Sequence, residues 1–244
     1  MGLRNASGVS KQVRIAGLIA GVLGLGAASR AAIIMPVDPA LVPVSDPSSL
    51  FDVNSNPGNS YSLGTGTNFI PAGFDVRDLF GGSTGTFGPE RNDVIFDNNQ
   101  PIGMVESVNV SLTAPTSLSS FNLLLEDDGL SGDRSASEFL LYADGTLIDD
   151  VTILDGTGSQ SYTSLYGSNY IQINDSFSGP APASDYTLEF VQNRDGNAGS
   201  GIRAMEFTAT AASTTTVPEP KALACLAGGG CALLRRRRRV AVPV

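Results

Sequence analysis

The chain has 244 residues and a net charge of −9, with no His and no Trp. Its charges are segregated, because residues 33–216 hold 23 Asp and Glu against five Arg and no Lys, a net charge of −18. Both cysteines, Cys225 and Cys231, lie near the C-terminus. The central region therefore cannot build a Ser-His-Asp triad, a Cys-His pair, a zinc site of the His/Cys type or a disulfide, and its acidity excludes nucleic acid as a partner.

The first 31 residues have the pattern of an export signal. Three basic residues and no acidic one precede a 13-residue apolar run at 15–27, and the small residues Ser29 and Ala31 suit cleavage after Ala31. An N-terminal membrane anchor is the alternative, although the run is shorter than the ~20 apolar residues of a membrane span. We expect residues 1–31 to be a helical signal peptide that signal peptidase removes.

Residues 32–49 form a lead-in with four prolines, which predicts an extended or edge segment and excludes a helix. From 50 to 210, apolar and polar residues alternate with period two and turn signals recur, which is typical of strands. The alternation predicts strands at 92–98, 105–113, 119–126, 137–143, 146–154, 169–174, 186–191 and 203–210. Asp144-Gly145 between two of them predicts a hairpin turn. We therefore predict an all-β fold, an antiparallel β-sandwich or jelly roll of eight or nine strands.

The order of these segments carries a resemblance to a known fold family. The succession FDNN, FNLLLEDDG, SEFLLYADGTLI, YTLEFVQN and GSGIRAMEFTA, which spans 96–209, is similar to the strand order of discoidin-like, galactose-binding-like β-sandwiches. In that pattern a last strand of apolar-Glu-aromatic type, here AMEF at 204–207, closes the sheet. The resemblance implies binding of carbohydrate or another surface ligand through loops at one end, sometimes with a structural Ca²⁺.

An acidic loop lies between two of the predicted strands. Asp127, Asp128, Asp133 and Glu138 surround two glycines, and Ca²⁺ favours several carboxylates on a flexible loop. An EF-hand would place Gly129 where a side-chain ligand is needed and would require flanking helices, so we discard it. Two interpretations stay open, a Ca²⁺ loop of another kind and a solvated acidic turn.

A second polar loop precedes the last strand. Arg194, Asp195 and Asn197 would lie near the strand ends in the discoidin-like arrangement, where Arg194 would bind a sugar hydroxyl or a carboxylate. A type I′ turn around Asp195-Gly196 is the alternative. These three residues are the predicted ligand-binding residues.

One pair of adjacent acids is a poor candidate for catalysis. Asp149 and Asp150 lie within a predicted strand, where neighbouring side chains point to opposite faces. They therefore cannot act together as the acid and base of a glycosidase. Carboxylates from distant loops leave a glycoside hydrolase or lyase open as an alternative.

The C-terminus combines a proline motif, an apolar run and a basic cluster. After a small, polar linker at 211–216 come Pro218-Glu219-Pro220 and a 13-residue apolar run at 222–234. The basic cluster is Arg235, Arg236, Arg237, Arg238 and Arg239. A helix over the apolar run would be about 20 Å long, short of a ~30 Å hydrocarbon core, and the positive-inside rule places the arginines in the cytoplasm. A soluble core helix is disfavoured by the three consecutive glycines at 228–230, and a nucleic-acid patch by the export signal.

This order over residues 217–240 resembles the PEP-CTERM sorting signal of Gram-negative bacteria. The resemblance implies that an exosortase, a membrane transpeptidase-like enzyme, recognises Pro218-Glu219-Pro220 and processes the chain nearby. It also implies an organism that makes exopolysaccharide or biofilm. Such a signal predicts a location and no activity.

Together these observations predict an exported protein that passes through an inner-membrane intermediate to the cell surface or the extracellular matrix. Its sandwich is expected to be non-catalytic and to bind exopolysaccharide or another glycan, or to pack into the matrix. An extracellular carbohydrate-active enzyme that uses loop carboxylates and a purely structural matrix protein are the alternatives. Ca²⁺ is the one cofactor for which the sequence offers ligands.

Overall fold

A computed structural model describes the central part of the chain, residues 32–42, 46–67, 75–82, 94–96, 101–127, 134–177, 180–193 and 201–213. The predicted signal helix, sorting motif and C-terminal apolar helix lie outside the described residues. The assignment of 1–31, 211–216 and 217–240 to signal, linker and sorting segment therefore stays a prediction.

Within the described residues, ten strands form two antiparallel sheets. Their bounds are β1 Ile33–Pro36, β2 Ser60–Leu63, β3 Val94–Ile95, β4 Val105–Thr116, β5 Leu118–Glu126, β6 Ala136–Ala143, β7 Thr146–Thr152, β8 Tyr170–Ser176, β9 Ala183–Gln192 and β10 Arg203–Ala211. The first sheet has the order β1-β8-β5-β10-β3, and the second has the order β2-β4-β9-β6-β7. The predicted all-β antiparallel sandwich is confirmed, and it has ten strands in the described residues instead of eight or nine, because β1 and the short β2 lie outside the segments whose alternation predicted strands.

Helical structure in the described residues is short. The α-helix α1 spans Tyr162–Tyr166, and two 3-10 helices span Pro39–Leu41 and Val76–Phe80. α1 was not predicted, because its five residues are too few to form an apolar stripe.

The core lies between the sheets because alternate residues of each long strand point inward. In β9, for example, Tyr186, Leu188 and Phe190 are buried while the residues between them are partly exposed. Aromatic rings fill the centre, with Phe207 of β10 stacked on Phe121 at 5.4 Å between ring centroids. Burial of each such ring contributes about 1.5–3 kcal/mol to the free energy of unfolding.

The proline-rich lead-in supplies an edge strand and a cover. β1 pairs with β8, with Ile34 opposite Ile173, so the first sheet starts before residue 50. The chain after β1 then lies on the outer face of this sheet, where Val42 packs against Leu124 and Met205. This agrees with the extended or edge segment that the prolines predicted.

The β6–β7 hairpin has the turn that the sequence predicted. Asp144 and Gly145 have φ angles of 46° and 75°, as a type I′ turn requires. The carboxylate of Asp144 also accepts hydrogen bonds from the backbone N–H groups of Ser184 and Asp185. The turn is therefore tied to the start of β9.

The sandwich has two unlike ends. At one, which we call the loop end, β5 and β9 finish and β6 and β10 begin, with Arg203 opposite Glu126 and Ala136 opposite Gln192. At the other, which we call the terminal end, β1 begins and β10 finishes, and β4 crosses to β5 through the single residue Ser117. The described chain thus enters and leaves the sandwich at the end opposite its long loops.

Candidate functional site at the loop end

The two loops that the sequence marked as ligand candidates start and finish at the loop end. The acidic loop joins β5 to β6, and the polar loop joins β9 to β10. The backbone N–H of Arg203, where the second loop finishes, donates a hydrogen bond of 3.1 Å to the carbonyl of Arg134 in the first. The fold therefore brings together two segments that are about 70 residues apart in the sequence.

Tyr162 connects the two sheets beneath these loops. It is the first residue of α1 and is fully buried. Its backbone N–H donates to Oδ2 of Asp127 at 2.7 Å, and its phenol oxygen accepts from the N–H of Ala136 at 2.8 Å. Burial raises the pKa of Tyr162, so the phenol stays neutral.

The capping of α1 holds Tyr162 in position. Ser161 and Ser164 form a reciprocal capping box, and Gly167 ends the helix in the left-handed conformation with φ of 79°. Tyr166, at the last position of the helix, donates its hydroxyl to the carbonyl of Ile153 at 2.7 Å. A helix of one turn is thereby fixed at both ends.

Asn193 fixes the start of the polar loop through hydrogen bonds to two other segments. Its buried Nδ2 donates to Oγ of Ser135 at 3.0 Å and to the carbonyl of Gln160 at 2.9 Å. Its backbone N–H donates to the carbonyl of Ser135 at 3.1 Å. Asn193 therefore joins the end of β9, the start of β6 and the segment before α1.

The interior of the sandwich becomes polar at the loop end. Glu106 of β4 and Gln192 of β9 point inward and are buried there, and Glu106 lies opposite Phe190. Glu126 is also buried, but it lies on the outer face of the first sheet, the face of Leu124. Glu126 forms an ion pair of 2.9 Å with Arg203. A buried polar layer of this kind must be satisfied by hydrogen bonds and ion pairs, and it fixes the loop ends more specifically than apolar contacts would.

The structure places the described members of the predicted Ca²⁺ set in different surroundings. Asp127 follows β5 of the first sheet and is buried against Tyr162. Glu138 lies on β6 of the second sheet, where burial and the neighbouring Asp150 raise its pKa. Asp128 and Asp133 lie outside the described residues, so the Ca²⁺ loop stays a prediction.

No metal-binding group is evident in the described ranges. There, His, Cys, Asp and Glu form no group of three or more that could hold a metal ion. The acids that do come together at the loop end, Glu126 and Asp127, are engaged by Arg203 and Tyr162. In the described structure their role is to hold the loops.

The other predicted site residues lie outside the described part of the chain. These are Arg194, Asp195 and Asn197 of the polar loop, Pro218, Glu219 and Pro220 of the sorting motif, and Arg235, Arg236, Arg237, Arg238 and Arg239 of the basic cluster. The predicted opposite orientation of Asp149 and Asp150 is confirmed, because Asp149 is buried and Asp150 is exposed. Among the described residues, no helix is long and apolar enough to cross a membrane.

A shallow cavity of about 260 Å³ lies beside the 3-10 helix Val76–Phe80. It is lined by Val53, Asn54, Asp75, Arg77, Asp78 and Gly82. A hydrogen bond from the Arg77 guanidinium holds the pKa of Asp75 below its ordinary value. Asp78 accepts from the backbone N–H of Asp75 in a capping box. Both carboxylates therefore stabilise the helix start, and neither was among the predicted site residues.

The comparisons with known proteins leave the family of this chain open. No family model and no curated protein matches the chain. Among solved structures, a family 32 carbohydrate-binding module of C. perfringens NanJ, in complex with galactose, is 12% identical and has a TM-score of 0.41. The alignment covers 66% of this chain and 97% of that module.

Two further similar structures are modules of the same family. That of Streptococcus pneumoniae EndoD is 16% identical, has a TM-score of 0.39, and aligns over 66% of this chain and 98% of its own. A module from Clostridium perfringens, in complex with GalNAc-β-1,3-galactose, is 14% identical, has a TM-score of 0.39, and aligns over 67% of this chain and 99% of its own.

Proposed function

We propose that the chain is a non-catalytic, surface-displayed module that binds a glycan at its loop end. The observation that carries this proposal is the meeting of the two candidate loops at one end of a rigid sandwich, opposite the end where the described chain enters and leaves. Asp127, Tyr162 and Asn193 fix the ends of these loops. Loops on a rigid scaffold are a common place for ligand binding.

The charge of the molecule favours a neutral glycan. The net charge of −18 over 33–216 repels polyanions, whereas hydroxyl groups hydrogen-bond readily to carboxylates, amides and guanidinium groups. Arg194, Asp195 and Asn197 supply these three kinds of group on one loop. Galactose and GalNAc-β-1,3-galactose, which were bound in two of the modules cited above, are practical first probes.

The contacts of the carboxylates at the loop end support a non-catalytic role. Glu126 is ion-paired with Arg203, and Asp127 accepts the N–H of Tyr162. Both contacts engage the carboxylate within the protein, whereas a general acid must lie within hydrogen-bond reach of the substrate to transfer its proton. These acids therefore suit a scaffold better than a hydrolase.

We further propose that the chain is exported and sorted through its PEP-CTERM-like tail. The tail follows residue 213, which lies beyond the end of β10 at the terminal end. An attachment there would direct the loop end away from the cell envelope. This orientation supports display of the module toward extracellular ligands.

The first experiment is a glycan array with the full chain, purified in mild detergent, in Ca²⁺ and again in EDTA. We expect saturable binding of a neutral glycan. Arg194→Ala should weaken binding by at least about tenfold, since a hydrogen bond to a charged group contributes about 1.5–3 kcal/mol. Arg77→Ala is the matched control, because Arg77 lies on the 3-10 helix outside the loop end.

The outcomes separate the alternatives. Binding that is lost in EDTA would support a Ca²⁺ role for Asp128 and Asp133, and binding that survives would remove the metal from the proposal. No binding in either buffer would overturn glycan binding in favour of a structural matrix protein. Turnover of a polysaccharide would identify an enzyme.

A further inference from the structure

Two carboxyl groups from opposite sheets meet inside the sandwich. Asp149 lies on β7, the outermost strand of the second sheet, and Asp175 lies on β8, next to the outermost strand of the first. Each residue is 8% exposed. Both side chains point inward, in step with Val151 on β7 and Ile173 on β8. We call these two residues the carboxyl pair.

The groups around the carboxyl pair are apolar or acidic. Leu141 of β6 lies beside Asp149, and Phe121 of β5 lies beside Asp175. The nearest other acid, Asp150, is on the outer face of β7 and adds to the negative potential. Ala32 packs against the core just before β1.

No cation in the described ranges faces the carboxyl pair. Arg203 is paired with Glu126 at the loop end, Arg134 lies beside Arg203 at that same end, and Arg77 is paired with Asp75 beside the 3-10 helix. Oδ1 of Asp175 accepts the backbone N–H of Ser176, and the Asp149 carboxyl accepts that of Asp150, but the buried Oδ2 of Asp149 receives no hydrogen bond from the described residues. The negative charge of the pair is therefore poorly compensated.

Two neighbouring carboxylates in a buried site repel each other, whereas one shared proton allows one to donate to the other. Burial, followed by the neighbouring Asp175, raises the pKa of Asp149 to about 6, from 3.8 in an unfolded chain. A native pKa above the unfolded one means that the native state binds the proton more tightly. The resulting stability is full below about pH 4 and is lost as the pH rises through about 6.

We propose that the carboxyl pair is a proton-dependent contact between the two sheets, which holds β7 against the sandwich while Asp149 carries a proton and loosens β7 when Asp149 ionises. β7 is the strand that responds because it pairs on one side only, with β6. An edge strand with one neighbour loses fewer contacts on opening than a central strand does. The inference is independent of the ligand at the loop end.

The test is urea denaturation of the full chain in detergent between pH 4 and 8. Since each unit of pKa difference corresponds to a tenfold change, ionisation of Asp149 should lower the folding equilibrium constant by up to about 100-fold between pH 4 and 7.5. Asp149→Asn should remove this fall, because the amide donates a hydrogen bond to Asp175 at every pH. Asp150→Asn is the control, on the adjacent residue and the opposite face. Asp150 contributes least among the groups that raise the pKa of Asp149, so the fall should persist and move only slightly to lower pH.

If Asp149→Asn does not fold, the proposal can be tested by measurements on the native protein. NMR titration should show the Asp149 carboxyl ionising near pH 6, and hydrogen exchange of the β7 amides, corrected for intrinsic rates, should quicken relative to those of β9 above that pH. In Asp175→Asn the pKa of Asp149 should fall. Titration of Asp149 near pH 4, or parallel stability profiles for wild type and Asp149→Asn, would overturn the proposal.

Discussion

Tyr162 forms hydrogen bonds with both ends of the acidic loop, to Asp127 through its backbone N–H and from Ala136 through its phenol oxygen. We expect Tyr162→Phe to lower the free energy of unfolding by about 1–3 kcal/mol, because the buried N–H of Ala136 would lose its acceptor. Urea denaturation would measure the change. Tyr142→Phe is the control, since Tyr142 lies on the outer face of β6 and its loss should cost less than about 0.5 kcal/mol. Equal losses in the two variants would contradict a special role for Tyr162.

At the scale of single residues, the sequence revealed the loops but not what holds them. Asp127 was expected as a cation ligand because of its acidic neighbours, and the structure shows its carboxylate accepting the N–H of a residue 35 positions later. Asn193 reaches Ser135 across 58 positions. Such contacts depend on which strands become neighbours, and local composition carries no information about that. The short S-Y-T-S segment at 161–164 was the one local signal of a helix start.

At the scale of elements, substitutions in β1 would test whether the proline-rich lead-in is part of the folded sandwich. Ile34 packs against the core, whereas the adjacent Ile33 is 54% exposed. We expect Ile34→Ala to lower the free energy of unfolding by about 1–2 kcal/mol, less than a fully buried residue would lose, and Ile33→Ala by less than about 0.5 kcal/mol. Thermal or urea unfolding of the two variants would check this. If both substitutions were neutral, β1 would be dispensable for the fold.

The length of the alternating run in the sequence decides which strands could be predicted, so that even the two-residue β3 was found within the segment 92–98. β4, β5, β6, β9 and β10 have eight to twelve residues, and their alternation identified both the strands and the sandwich. β2 has four residues within a segment rich in Asn, Ser and Gly, which gives too few alternations to detect. The order of strands within each sheet also could not be read from the sequence, because antiparallel alternation fits many orders equally well.

At the scale of the whole molecule, the sorting proposal has its own test. Replacing Pro218-Glu219-Pro220 by alanines should leave unprocessed protein in the inner membrane, because the exosortase would lose its recognition motif. Immunoblots of membrane and extracellular fractions would measure the ratio of unprocessed to processed protein. Alanines at the adjacent residues 214–216 make a matched control that should be processed normally. Normal processing of the first variant would refute the sorting assignment.

In the first sheet, β1 begins and β10 finishes at the terminal end of the sandwich, and the two strands are three positions apart. With strands about 4.8 Å apart, the gap is about 14 Å, which a linker of about six residues would span. A circular permutant that joins Ala211 to Ile33 and is cut between Asp144 and Gly145 would keep all the strand pairs described here. Its new termini would lie at the same end as the old ones, so the sandwich could be grafted into a host protein through either pair of termini.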